Sequence, residues 1–263
     1  MGKITLVTAL FLATIFMAQT RVNYNLKIIH PDKSERKYNM NLDVDGGKSY
    51  FYDEKLLENN KYPSKSNQFL VHQQAGNENI QIIYSHENLP FKIKSDDKIS
   101  WKVEEEFKQI DQYKVQKATA NFGERKWTAW FCPEIVMMEG PYKFRDLPGL
   151  IFELSDSENI FFYQMIGIEK FKNDTKKLSF DFNKAQEITV EKYGKLMGDF
   201  LENPFQKQRN QLGNGVELNI DDKDVRVQDL NKMTAEFHKN IKNTYPPAVE
   251  MDQFGFYRKW ILN

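Results

Sequence analysis

Glu134 and Glu139 flank the apolar run Ile135–Met138, and Asp146 follows Arg145 a few residues later. Two carboxylates around a short apolar segment are the groups an acid-assisted hydrolysis needs, one to donate a proton and one to act as base or nucleophile. Arg145 beside Asp146 would supply the cation for such a site. Solvated loop glutamates account for the same residues equally well, so a hydrolase using Glu134, Glu139 and Asp146 stands as an alternative only. The four histidines, His30, His72, His86 and His238, are scattered, with neither the i,i+4 nor the H-x-H spacing of a zinc site. Glu104, Glu105 and Glu106 put carboxylates on both faces of a strand, a pattern expected at a solvated sheet edge that resists pairing between molecules. The sole cysteine, Cys132, lies among Trp130, Phe131 and Pro133 and reads as a buried, inert thiol. There is no G-x-S-x-G elbow, P-loop or dinucleotide fingerprint. No catalytic residue, metal or cofactor is therefore assigned, and the reading leans away from an enzyme.

Surface chemistry remains. By strand parity Arg125, Trp127, Ala129 and Phe131 share one face, with Lys126 and Trp130 opposite. If Trp130 joins Tyr142 and Phe144, that second face becomes an aromatic cleft for an apolar ligand, peptide or glycan. Trp130, Tyr142, Phe144, Arg145 and Asp146 form the candidate binding set.

Those residues must be positioned by strands. Val22, Tyr24, Leu26 and Ile28 alternate with polar neighbours, and residues 38–44, 69–73, 80–85, 98–110, 112–122 and 125–132 continue in the same period of two. Residues 150–171 give two strands about the polar turn 155–159, and 177–182 a last one. About nine or ten strands joined by short turns across 21–182 describe a mainly β protein. It would be a single large, curved antiparallel meander sheet, open or partly closed and barrel-like. The period changes after Asn183. Val190, Tyr193, Met197, Phe200 and Leu201 predict a helix over 189–202, capped by Thr189 and stopped by Pro204. Leu230, Met233, Phe237 and Ile241 predict a second over 228–243, and both helices are expected to pack on the sheet. Residues 208–224 read as a loop or mobile hairpin, and 244–263 as a tail.

One segment resists this scheme. "GPYKFRDLPGLIF" (140–152) carries two prolines and two glycines among aromatics, and Pro133 opens the same excursion. Pro148 and Gly149 suit the central positions of a type II turn. Tyr142 and Phe144 alternate with Lys143 and Arg145, so one side would press on the sheet and the other would meet solvent. A stiff loop of this length is either a plug that seals the core or a binding lip at its mouth.

Bulk properties narrow the setting. Met1-Gly2-Lys3, a run of apolar residues and Ala18 have the form of a secretory signal peptide cut before Gln19, leaving residues 19–263 as one β-rich domain. With no cysteine after the apolar run, no lipoprotein anchor is expected, nor a transmembrane segment after cleavage. Lys and Arg number 37 against 37 Asp and Glu, a balance that provides no basic field for nucleic acid or anionic lipid. Twenty phenylalanines suit strands and a broad apolar face.

The segment "AWFCPEIVMMEGPYKFRDLPGLIFELSD" resembles the signature of the GLPGLI family, secreted proteins of Bacteroidetes-type bacteria whose biochemical role is not established. "RVNYNLKI", "GGKSYFYDE", "ISWKVEEEFKQIDQYKVQKATANFGERKWTAWF" and "EKYGKLMGDFLENPF" follow in that family's order, so the resemblance covers most of the mature chain. Its motif falls on Gly140, Pro141, Leu147, Pro148, Gly149, Leu150 and Ile151. Asp146 stands where the motif has its first glycine, which requires Asp to adopt a left-handed backbone. The family's usual ending is only loosely matched by "NTYPPAVEMD", and "QFGFYRKWILN" is an added tail. The resemblance implies an exported, periplasmic or extracellular protein. Its expected role is non-catalytic binding of an outer-membrane protein complex or an apolar small molecule, with purely structural partner docking as a further alternative.

Overall fold

The computed structural model describes residues 19–58, 66–170, 177–215, 217–220, 223–253 and 255–262. The expected signal peptide, 1–18, lies outside them. The first six strands are β1 (Thr20–Ile29), β2 (Glu35–Asp45), β3 (Lys48–Asp53), β4 (Phe69–Gln73), β5 (Glu78–Tyr84) and β6 (Pro90–Ser95). Then come β7 (Lys102–Ile110), β8 (Tyr113–Phe122), β9 (Arg125–Cys132), β10 (Leu150–Asp156) and β11 (Phe161–Lys170). A two-residue strand, β12 (Gln186–Glu187), pairs parallel with β6, and every other pair in the sheet is antiparallel.

The sheet has 12 strands in the order β12-β6-β5-β4-β3-β2-β1-β11-β10-β9-β8-β7. It is therefore two meanders rather than one. The chain walks from the centre at β1 out to β6, crosses over through residues 96–101, and returns from the far edge at β7 to lay β11 beside β1. The crossing segment has to span the inner face, and it does so touching the 133–149 loop: Trp101 Nε1 donates to the Arg145 carbonyl at 2.7 Å.

Alternation decides which face is inner. Val22, Tyr24, Leu26 and Ile28 are all fully buried, and with Leu42, Phe51, Leu70, Trp127, Ala129, Phe131, Leu154 and Tyr163 they make one continuous core. At 25 to 30 cal/mol per Å² of apolar surface, each such large side chain contributes about 1.5–3 kcal/mol of burial. The parity assigned to β9 holds, with Arg125, Trp127 and Phe131 buried while Lys126 is exposed. Strand β7 forms one edge of the sheet, and its register with β8 shifts between Val103 and Phe107, the stretch that holds Glu104, Glu105 and Glu106. Charge and irregularity thus blunt that edge together.

The helical region follows. Helix α1 (Val190–Glu202) takes its cap from Thr189, whose hydroxyl accepts from Lys192 N, and it lays Tyr193, Met197 and Leu201 on Ile83, Phe91 and Ile93 of β5 and β6. Over 208–224, expected to be a loop or a hairpin, a hairpin of β13 (Leu218–Ile220) and β14 (Lys223–Val225) is present, and helix α2 (Gln206–Gly213) precedes it where no helix was expected. α2 has no apolar period to announce it, since it buries no residue. Helix α3 (Val227–Thr244) matches the second expected helix within a residue at each end. The tail is structured too: α4 (Gly255–Tyr257) and the helical turn Arg258–Leu262 place Phe256, Tyr257 and Ile261 against α1. Among the described residues no helix is long and apolar enough to cross a membrane.

Residues 177–182, read as a strand, join no ladder. Leu178, Phe180 and Phe182 instead pack on the outer face over Tyr52, Phe69 and Val71, with Phe180 5.1 Å from Phe69 ring to ring. Alternation here records one-sided packing of an extended segment, which does not require a neighbouring strand.

Candidate functional site: a charged seam under the 133–149 loop

The loop between β9 and β10 is tied by its own backbone. Ile135 N donates to Cys132 O, Leu150 N to Ile135 O, Asp146 N to Met138 O and Phe144 N to Pro141 O, at 2.8–3.2 Å. Gly149 N donates to Leu147 O at 2.8 Å, so Pro148 centres a three-residue γ-turn rather than the expected type II turn. Glycine is needed at two places for a different reason from turn type alone. A Cβ on Gly149 would lie 2.2 Å from Cys132 O, and one on Gly140 2.1 Å from Phe144 O. Both are points where backbone meets backbone. Asp146 adopts φ 70°, as the missing glycine demanded, and is exposed. Tyr142 also has a positive φ, 53°, which costs a bulky residue about 1–3 kcal/mol unless its surroundings hold it.

Its surroundings do. Phe144 is fully buried at the middle of the inner face, 4.4 Å from Trp127, 5.7 Å from Phe122 and 6.3 Å from Tyr163 by ring centroids. Tyr142 is buried with its hydroxyl donating to Glu250 Oε1 at 3.0 Å. Trp130 lies on the outer face, with Lys108 Nζ 4.5 Å above its ring. Trp130, Tyr142 and Phe144 therefore line no common cleft. Strand parity separates the first from the other two, and the loop delivers Tyr142 and Phe144 as plugs. Leu147, Leu150 and Ile151 of the motif are buried with them.

The alternation expected in the loop fails at its cations. Lys143 and Arg145 are buried as deeply as the aromatics, with Lys143 only 1% exposed. A buried ion has to be paired. Lys143 Nζ meets Asp97 at 2.6 Å and Glu250 at 2.8 Å, one from the crossing segment and one from the chain after α3. Arg145 Nη2 donates to Asn79 Oδ1 at 2.6 Å, and its Nε lies 3.8 Å from Glu139. Glu139 in turn accepts from Ser49 Oγ at 2.8 Å and Gln74 Nε2 at 3.2 Å, and stands 2.9 Å from His72 Nδ1. Ser49, His72 and Asn79 are consecutive cross-strand partners on β3, β4 and β5. They form a polar row on an otherwise apolar inner face, and the loop sets its charges onto it.

Burial would raise the Glu139 carboxyl, but the hydrogen bond and charge of His72, the Ser49 hydroxyl and Arg145 outweigh it and hold the group below the usual carboxylate range. For Asp97, too, burial works upward and Lys143 wins, leaving it lowered. At Glu250 the order is reversed: burial dominates Lys143, and the carboxyl is pushed up. Burial also raises the Tyr142 phenol and lowers the Arg145 guanidinium.

This arrangement offers little chemistry. Glu134 is exposed whereas Glu139 is locked in the seam, so the two do not face a common substrate as an acid pair would. Ser49 donates to Glu139 rather than to His72, and His72 Nε2 is engaged by Asn77 Oδ1 at 3.2 Å, so no base activates the hydroxyl. Among the described residues no group of three or more His, Cys, Asp or Glu is placed to hold a metal. The cavity beside the seam, between Gln68, Gln81, Tyr142 and residues 245–250, is about 40 Å³, room for water only. Beside the exposed Pro133, Glu134, Asp146 and Pro148, the loop presents two large apolar side chains, Val136 at 93% and Met138 at 57% exposure, while Ile135 and Met137 are half-buried against the core. Sequence reasoning missed Ser49, His72, Asn79, Asp97 and Glu250. The first three carried a signal, since each is polar at an inner-face parity position.

A family model described as "Protein of unknown function (Porph_ging)" matches residues 121–153, which run from the β8–β9 turn through β9 and the loop into β10. No curated protein matches by sequence. The solved structure of PNGF-II in space group C2 superposes with a TM-score of 0.53 at 17% identity over 68% of this chain, and the P21 form gives the same values. This chain spans 33% of the PNGF-II chain, and the likeness is one of fold. The crystal structure of LolA superfamily protein NE2245 from Nitrosomonas europaea aligns with a TM-score of 0.30 at 10% identity, over 64% of this chain and 93% of that one.

Proposed function

We propose that the protein is an exported envelope protein of the GLPGLI type that acts by binding a partner protein, without chemistry of its own. The observation that carries this reading is the exposed apolar pair Val136 and Met138 on a loop that is cross-tied and charge-anchored to the core. Apolar side chains held out to water on a rigid support lose little conformational entropy when a partner covers them. Ile166 and Ile168, also exposed, lie at the end of β11, which is the same end of the sheet as Cys132 and the loop's base. An apolar patch rimmed by polar residues marks a protein contact. The inner face favours a protein partner over an apolar small molecule, because Phe144 and Tyr142 fill it.

A photo-crosslinking residue at Val136 or Met138, in cells, tests this. The same discrete adduct is expected from both positions and not from Lys126, an exposed residue on β9. Val136→Asp with Met138→Asp should abolish recovery of that protein without moving the denaturation midpoint. Equal labelling from Lys126, or no adduct from the loop, would remove the basis for the proposal.

A further inference from the structure

Helix α2 buries no residue, yet it is firmly held. Arg209 donates to Asn203 Oδ1 at 3.1 Å, Asn231 Oδ1 at 2.8 Å and Thr234 Oγ1 at 2.9 Å, fastening α2 to the α1–α2 link and to α3. A helix that adds nothing to the core but is fixed in place has its use on its open side. That side forms the wall of a depression of about 680 Å³, lined by Gln206, Gln208, Asn210, Gln211 and Asn214. The opposite wall is His86, and a second depression of about 540 Å³ shares His86 and Gln206 and runs on over Phe200 and Leu196. The two make one trough.

His86 is set by the β5–β6 turn, where Ser85 N bonds Leu89 O and the Ser85 hydroxyl accepts from the amides of Glu87 and Leu89. The turn places His86 just beyond the end of β5. Its imidazole lies flat on Phe200, 3.9 Å away and tilted by 7°, and Phe200 is backed edge-on by Phe237 of α3 at 5.6 Å. An exposed ring on a rigid stack faces a wall of neutral amides. The trough carries Lys192, Lys195 and Lys207 against Glu87 and Asp199, and Lys195 is paired with Asp199 at 2.5 Å.

We propose that this trough is a saccharide-binding site. A pyranose has a flat C–H face suited to an aromatic platform and hydroxyl edges that both donate and accept. Amides offer a donor and an acceptor side by side, which matches vicinal hydroxyls. Each depression, taken alone, lies within the roughly 300–1,000 Å³ of small-molecule sites. The site is separate from the contact at Val136 and Met138, and either can fail without the other.

The test is titration of the full chain with a panel of neutral oligosaccharides (chitotriose, cellotriose, maltotriose and mannotriose), followed by amide-resolved NMR. One or more should bind with a Kd of about 1 mM or tighter, with shifts centred on residues 85–88 and 206–214. His86→Ala should weaken that sugar by about tenfold, and Gln211→Ala severalfold, both at exposed or half-exposed positions that leave circular dichroism unchanged. The proposal is overturned if no member of the panel binds, if shifts fall elsewhere, or if both variants bind as the parent does. Stronger response to a nucleotide or a peptide than to every sugar would also overturn it.

Discussion

Replacing Lys143 with methionine isolates the energetics of the seam. The ammonium is 1% exposed and neutralises two carboxylates, of which Glu250 is almost as buried as the lysine itself. Methionine keeps the stem's packing and removes only the charge. Glu250 is then left buried without a counter-ion and bonded by Tyr142 alone, and breaking a buried pair in this way costs about 3–5 kcal/mol. For a domain whose total stability is about 5–15 kcal/mol, that is a large fraction. With a urea slope of about 3 kcal/mol/M, the midpoint should fall by about 1–1.7 M. Two internal checks accompany the single variant. Lys143→Met combined with Glu250→Gln should recover most of the loss, because the one carboxylate left without its partner, Asp97, is 29% exposed and keeps its bond from Ser95. Lowering the pH should also narrow the deficit of the single variant as Glu250 takes up a proton. Urea unfolding of the parent and both variants, followed by tryptophan fluorescence at pH 7 and pH 5, measures each quantity. A single variant within about 1 kcal/mol of the parent, or a double variant no more stable than the single, would refute the reasoning.

The two buried glutamates should leave opposite marks on the pH dependence of stability. Glu250, raised in the folded protein, binds protons more readily folded than unfolded; its contribution is full at acid pH and is lost as pH rises through its folded pKa. Glu139, lowered, contributes above its unfolded pKa and loses that contribution as pH falls through its folded value. Glu250→Gln should therefore abolish a decline on the alkaline side of the usual carboxylate range, and Glu139→Gln a decline on the acid side, in unfolding curves taken at successive pH values. Gly149→Ala should cost more than the roughly 1 kcal/mol of a typical substitution, since its Cβ must displace the Cys132 carbonyl, and thermal unfolding would show it.

Much of the sheet was legible. Period-two alternation located β1, β2, β8, β9, β10 and β11, and helical spacing located α1 and α3. β3 and β6 carried weaker signals: β3 packs on both faces, with Phe51 inside and Tyr52 outside, and β6 is short and begins with proline. The change from one meander to two was not legible, because strand order depends on where residues 96–101 cross, and nothing local encodes that. α2 was missed for the reason that makes it interesting: a helix with no buried face has no period.

The loop shows why parity is a poor guide outside a ladder. Alternation sends side chains to opposite faces only while the backbone is extended, and the loop is not: Tyr142 and Asp146 both take positive φ, which turns the chain between one side chain and the next. Lys143 and Arg145 can thus follow Tyr142 and Phe144 inward, provided the floor beneath them is polar. Ser49, His72 and Asn79 make it so, and those three interrupt the apolar inner row on successive strands. The motif residues Gly140, Gly149, Leu150 and Ile151 are then required by backbone approach and burial, with none of them offered to solvent. A partner cannot read what it cannot touch. Within the Leu-Pro-Gly-Leu-Ile run only Pro148 is exposed, so the run serves the fold first, and the partner contact proposed above would fall to Val136 and Met138.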